Sequence, residues 1–174
     1  VKPIEEETMK RGCGQSVLIL GLVLILAGCA GGISKEAQSQ ISYFGPFDQV
    51  QKAPERYQGE TVMWGGKVIT TKAKNDTTEI IVLQLGLGNQ HRPQDNDKSQ
   101  GRFIIHSSQF LDPAIYPKGT LVTVVGSVTG TALRSIGEMQ YRYPVIDVAE
   151  IKKWKPGEDA SPRIHFGIGI GTHF

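Results

Sequence analysis

Between residues 61 and 151 apolar side chains recur at alternate positions, broken by short polar turns, and such a pattern builds sheet rather than helix. Val62, Trp64, Gly66, Val68 and Thr70 alternate with Met63, Gly65, Lys67 and Ile69. Lys74-Asn75-Asp76 reads as a turn, and residues 78–85 as a second run. A long polar loop over 88–101 leads to a third run at 102–107, around Phe103-Ile104-Ile105. Asp112-Pro113 and Pro117-Lys118-Gly119 bracket a short turn or 3-10 segment. Residues 120–131 and 141–151 give the fourth and fifth runs, with Val145, Ile146 and Val148 expected to be buried. Ahead of them, residues 47–52 read as a short helix. Pro54 would stop it, kink it or begin a second turn, and Gln58-Gly59-Glu60 is a turn.

The expected fold is mainly β: a small OB-like closed barrel of five to six strands over 47–154, preceded by a short helix. A two-sheet sandwich is the alternative. Gly65-Gly66 within the first strand suggests a bulge or sharp coil, which closure needs. At 39% hydrophobic and 21% charged, the composition is that of a folded domain. A net charge of +2 supplies no strong field for nucleic acid or anionic lipid.

The two cysteines, Cys13 and Cys29, both lie near the N-terminus. Lys10 and Arg11 precede an apolar run over 17–27, interrupted by Gly21. As a helix this run spans about 16 Å, roughly half a bilayer core. That suits the apolar region of a signal peptide and is too short for a membrane-crossing helix. It ends in Leu26-Ala27-Gly28-Cys29, which matches the bacterial lipobox at every position. By analogy with lipoprotein precursors, residues 1–28 are expected to be a signal peptide. The Cys29 thiol would receive a diacylglyceryl group, signal peptidase II would cut between Gly28 and Cys29, and the new amino group would be acylated. Met9 suits the start of such a leader better than Val1, because Glu5-Glu6-Glu7 is atypical there. Removing the leader leaves Cys29 alone, so an internal disulfide is excluded and the domain must be held by its core. Ala30 follows the cysteine where an Asp would signal inner-membrane retention, which favours the outer membrane and a periplasm-facing domain.

Residues 29–46 are small and polar and are expected to form a lipidated flexible tether. Residues 155–174 read as a linker and a glycine-rich β tail. There Ile164, Phe166, Ile168 and Ile170 alternate with Gly167, Gly169 and Gly171. Such a tail could add a strand to an envelope protein partner or lie on a membrane; the alternatives are a tail packed on its own domain or a disordered one.

No catalytic, metal or cofactor site is expected. His91, His106, His165 and His173 pair with no other His or Cys at metal-ligand spacing, and structural or solvated roles are expected for them. Asp95 and Asp97 fall in a loop expected to be flexible and solvated, with nothing to shift their ionisation. Gly86-Leu87-Gly88 lacks a third glycine and a following helix and is a turn. Gly126 and Gly130 sit in a strand context and suggest a bend. Tyr141, Arg142, Tyr143 and Trp64 supply some of the aromatic and basic groups that single-stranded nucleic acid needs, but Tyr141 and Tyr143 fall on one face of a strand, where they would cover the barrel, and the expected compartment argues against nucleic acid, so no such partner is expected. Lys152-Lys153-Trp154-Lys155 reads either as a solvated domain end or as a contact to anionic headgroups with Trp154 at the interface.

Several short motifs together give a resemblance. The lipobox, Phe47-Asp48-Gln49-Val50, Ala53-Pro54-Glu55-Arg56-Tyr57 and Val62-Met63-Trp64-Gly65-Gly66 resemble the Slp family of starvation-inducible outer-membrane lipoproteins of Gram-negative bacteria. Ser99-Gln100-Gly101-Arg102-Phe103, Val124-Val125-Gly126, Ile136-Gly137-Glu138 and Tyr141, Tyr143, Pro144 and Val145 extend it across about residues 9–154. The resemblance implies outer-membrane placement and a link to starvation or stationary phase. It implies no enzymatic activity or ligand, so the one site residue it carries over is the lipidated Cys29. The expectation is a membrane-anchored, non-enzymatic envelope-maintenance or interaction module. A ligand carrier using the barrel interior and an envelope enzyme are the alternatives.

Overall fold

The computed structural model describes residues 32–156. The expected signal peptide, the lipobox with Cys29, and the glycine-rich tail beyond Pro156 lie outside the described residues.

Five strands run β1 Thr61–Lys74, β2 Thr77–Leu85, β3 Arg102–Ser107, β4 Leu121–Ile136 and β5 Met139–Trp154. They close a barrel in the order β1-β2-β3-β5-β4, with β4 returning to β1. All pairs are antiparallel except β3–β5, which is parallel over Ile104↔Val145, Ile105↔Ile146 and His106↔Asp147. The fold is the small closed OB-like barrel that the alternation predicts.

Period-2 alternation divides the strands into an inner and an outer face. Val62, Trp64 and Val68 of β1, Ile80 and Val82 of β2, and Phe103 and Ile105 of β3 point inward. Val122, Val124 and Val128 of β4 and Ile146 of β5 complete this core. Val145 and Val148, expected to be buried beside Ile146, are only half-buried. Helix α2, Phe47–Lys52, adds Phe47 and Val50 to the core. Phe47 meets Trp64 edge-on at 4.9 Å between ring centroids, and Trp64 meets Phe103 at 5.1 Å. A 3-10 turn, Pro54–Tyr57, follows α2, so Pro54 starts a second turn. The chain then joins the barrel through Gly59 N–H to the Val128 carbonyl and Val128 N–H to the Glu60 carbonyl, both 2.8 Å.

Residues 32–46, expected to belong to a flexible tether, are instead ordered against the barrel. Helix α1, Lys35–Ser39, begins at Ser34, whose hydroxyl accepts from the Ala37 N–H at 3.1 Å. Glu150 of β5 accepts from the Ser34 N–H at 2.9 Å and from its hydroxyl at 2.5 Å. Ile33 and Ala37 then pack on Val125, with Met63 and Ile41 beside them. Met63 and Val125 are register partners on the outer face, so the second phase of the alternation makes an apolar strip that α1 covers. A small polar composition suggested mobility; one cap and two buried side chains outweigh it. Ser34→Ala should weaken this docking by about 1 kcal/mol and speed amide exchange at Lys35–Ser39 about fivefold. Unchanged exchange there would mean that the cap does not hold the segment.

Gly65-Gly66 does not mark the bulge. The β1–β2 register runs unbroken through both residues and shifts between Val68 and Thr70. The glycines serve close approach. A side chain on Gly66 would collide with the Leu83 carbonyl and Val82, and one on Gly65 would collide with Leu87 and Pro93.

Candidate functional site

The room that Gly65 leaves on the outer face is filled by the loop after β2. Leu87 and Pro93 form an isolated bridge, Gly88 N–H donates to the Arg92 carbonyl, and Gln94 N–H donates to the Gly86 carbonyl, the last two at 2.8 Å. Thr123 of β4 donates its hydroxyl to the His91 carbonyl at 2.6 Å, and Asp95 pairs with Lys67 of β1. This half of the polar loop is therefore fixed to the barrel, where the sequence suggested a flexible loop, while Asp95 is exposed, as expected. Gln90 and His91 take φ of 53° and 61°, the left-handed region that residues with a side chain adopt at a cost.

Thr123 also accepts the indole N–H of Trp154 at 2.9 Å. Trp154 is 4% exposed, so it is a buried member of the domain and not an interfacial anchor. The Arg92 guanidinium lies over its ring at 5.7 Å and the Lys152 ammonium at 5.2 Å. Buried Arg92 Nη1 has no hydrogen-bond partner among the described residues. A buried donor left so costs about 1–3 kcal/mol, more when charged.

These groups border a cleft of about 650 Å³ where β4 begins and β5 ends. Arg92, Lys118, Lys153 and Lys155 line it with Ile115, Leu121 and Trp154, and Asp95 lies at its edge. The Lys-rich end of β5 was legible as a basic cluster. Arg92 and Lys118 were not, because no local period relates them to Trp154. Lys118 comes beside it through the β4–β5 register, in which Leu121 opposes Trp154, and Arg92 through the loop that Thr123 holds at His91.

The other residues weighed for chemistry lie apart. His106 Nδ1 sits 2.9 Å from Asp147 Oδ1 across the β3–β5 pair, on the surface. His165 and His173 are outside the described residues. No group of three or more His, Cys, Asp or Glu that could hold a metal occurs among the described residues. Trp64 is buried in the core, and Tyr141 packs edge-on against the buried Tyr143 at 4.8 Å while its hydroxyl accepts from the Arg102 N–H at 2.9 Å. Trp64 and Tyr143 are thus structural, not open stacking platforms. Glu55, on the 3-10 turn, is held below the usual carboxylate range by the Thr131 hydroxyl, by its own backbone N–H and by nearby Arg142. Asp48 is lowered chiefly by its bond from Lys52, and burial raises the Tyr116 phenol.

The outer membrane lipoprotein Slp family matches the chain over residues 26–167. The uncharacterized lipoprotein YeaY of Escherichia coli is 34% identical over 106 residues, which cover 61% of this chain and 54% of YeaY. An uncharacterized protein of Haemophilus influenzae is 30% identical over 133 residues, covering 74% of this chain and 70% of that protein. The chain thus spans about half the length of the first relative and rather more of the second. Among solved structures, the mitochondrial single-stranded DNA binding protein Rim1 of S. cerevisiae is 14% identical, with a TM-score of 0.36 over 58% of this chain and 100% of its own. An aspartyl-tRNA synthetase from Leishmania major has a TM-score of 0.39 and 13% identity over 77% of this chain and 25% of that one. Likenesses this low carry no argument about function.

Proposed function

This chain belongs to the outer membrane lipoprotein Slp family, and from that premise we propose that it is a non-enzymatic envelope module, lipid-anchored through Cys29 and facing the periplasm. The observation that carries the anchor is that the family match begins at residue 26 and so takes in Leu26-Ala27-Gly28-Cys29. Signal peptidase II cuts between Gly28 and Cys29, and the cysteine carries S-diacylglyceryl and N-acyl groups. Each buried CH₂ contributes about 0.8 kcal/mol, so one chain holds marginally and two or three hold firmly. The barrel interior is filled by its own side chains, Trp64, Ile80, Phe103 and Val124 among them, which argues against a carrier that uses that interior. The domain instead acts through its outer surface, in envelope maintenance or protein interaction under starvation or stationary phase, with envelope protein partners engaged through residues 155–174.

Expression of the full chain with and without Cys29→Ala in a Gram-negative host tests this. The wild type should take up labelled palmitate and fractionate with the outer membrane. The variant should lose the label and leave that fraction. Label retained by Cys29→Ala, or an unchanged outer-membrane share, would refute the assignment.

A further inference from the structure

An anchor at Cys29 leaves the cleft between the start of β4 and the end of β5 without a task. Its volume, about 650 Å³, falls in the range of small-molecule sites, roughly 300–1,000 Å³. Its walls divide by chemistry. Arg92, Lys118 and Lys153 bring positive charge, and Asp95, also on the lining, is paired with Lys67. Against them stand Leu121, Trp154 and Ile115, the last 49% exposed.

Arg92 is built into this position. The indole beneath it is fixed by Thr123, the same hydroxyl pins the His91 carbonyl, and two left-handed residues, Gln90 and His91, turn the backbone to deliver it. Its Nη1 is buried and unpartnered among the described residues. A guanidinium is a planar fork that matches the oxygens of a phosphate, and it keeps its charge when partly buried.

We propose that this cleft binds the phosphate headgroup of an anionic phospholipid. Arg92 reaches a phosphate oxygen, Lys118 and Lys153 add attraction, and Ile115 and Leu121 meet the glycerol and first acyl carbons. Charge complementarity selects the anion. The apolar wall, which gives a free phosphate nothing, selects a lipid as its bearer. The proposal draws on the outer-membrane reading only for the nearness of phospholipid; the cleft itself does not include the anchor.

The test uses the full chain in detergent micelles and native mass spectrometry, with phosphatidylglycerol and phosphatidylcholine offered in equal amounts. Phosphatidylglycerol should be retained about tenfold over phosphatidylcholine, and Arg92→Gln should remove most of that preference. Arg92→Lys should keep part of it. Lys153→Gln, on an exposed side chain, should lower it with the fold intact, and so stands as the test if Arg92→Gln fails to fold. Raising salt should weaken retention of phosphatidylglycerol and leave phosphatidylcholine unaffected. Equal retention of the two lipids, or a preference unchanged in both Arg92→Gln and Lys153→Gln, would overturn the proposal. So would an Arg92-dependent binding of inorganic phosphate without retention of phosphatidylglycerol. The Cys29→Ala chain should retain lipid at the wild-type level. Failure of the anchor and failure of the cleft therefore give different results.

Discussion

Phe103→Ala is expected to lose about 3–5 kcal/mol of unfolding free energy in a urea titration. Phe103 is fully buried, and it stands 5.1 Å from the Trp64 ring and 6.0 Å from the Phe47 ring. Truncation removes the transfer energy of the ring and leaves a cavity beneath α2. The surrounding strands cannot close on it, because each is held by two neighbours in a closed barrel. The loss should fall partly on α2, whose Phe47 then packs against empty space, so amide exchange at Phe47–Lys52 should accelerate more than in distant β-strand segments. A loss under about 1 kcal/mol would mean that the interior is not the filled core described here.

Gly66→Ala should cost about 3 kcal/mol, at the upper end for an added methyl. The obstacle is backbone. The new Cβ would overlap the Leu83 carbonyl oxygen as well as Val82, and a carbonyl bound into the β1–β2 ladder cannot swing away as a flexible side chain would. Relief requires β1 and β2 to part next to the register shift at Val68/Thr70. The same change at Gly59 meets open space but a φ of 88°, so its cost comes from the left-handed backbone alone and should be smaller, about 1 kcal/mol. Parallel urea titrations of the two variants would separate steric from conformational demand. Equal losses would contradict the close-approach account of Gly66.

Alternation made the barrel legible because strand geometry writes itself into every second residue. β3 spans Arg102–Ser107, as its apolar run indicates. β4 and β5 outrun theirs to Ile136 and Trp154. Ser135↔Gln140 and Ile136↔Met139 pair in a projecting hairpin turned at Gly137, φ 58°. Leu133 and Met139 there are 67% and 59% exposed, so no buried face imposes a period on that stretch. The docked α1 segment was illegible for a related reason: Ile33 and Ala37 find their partner, Val125, far along the chain. Trp154 and its lysines were visible as a cluster. That the indole is buried depends on Thr123, and that Arg92 covers it depends on a loop conformation with two left-handed residues. Neither dependence has a local signature. Cys29 is the opposite case, since the lipidation proposed for it rests wholly on four adjacent residues, Leu26-Ala27-Gly28-Cys29.

Whether the barrel is an outer-surface module carried on lipid at Cys29 is decided by the intact mass of the mature protein extracted from membranes. The expected mass is that of a chain lacking residues 1–28 and carrying a diacylglyceryl group and an amide-linked acyl chain, all on Cys29. A mass matching an unmodified cysteine, or a chain still bearing the apolar run over 17–27, would contradict it.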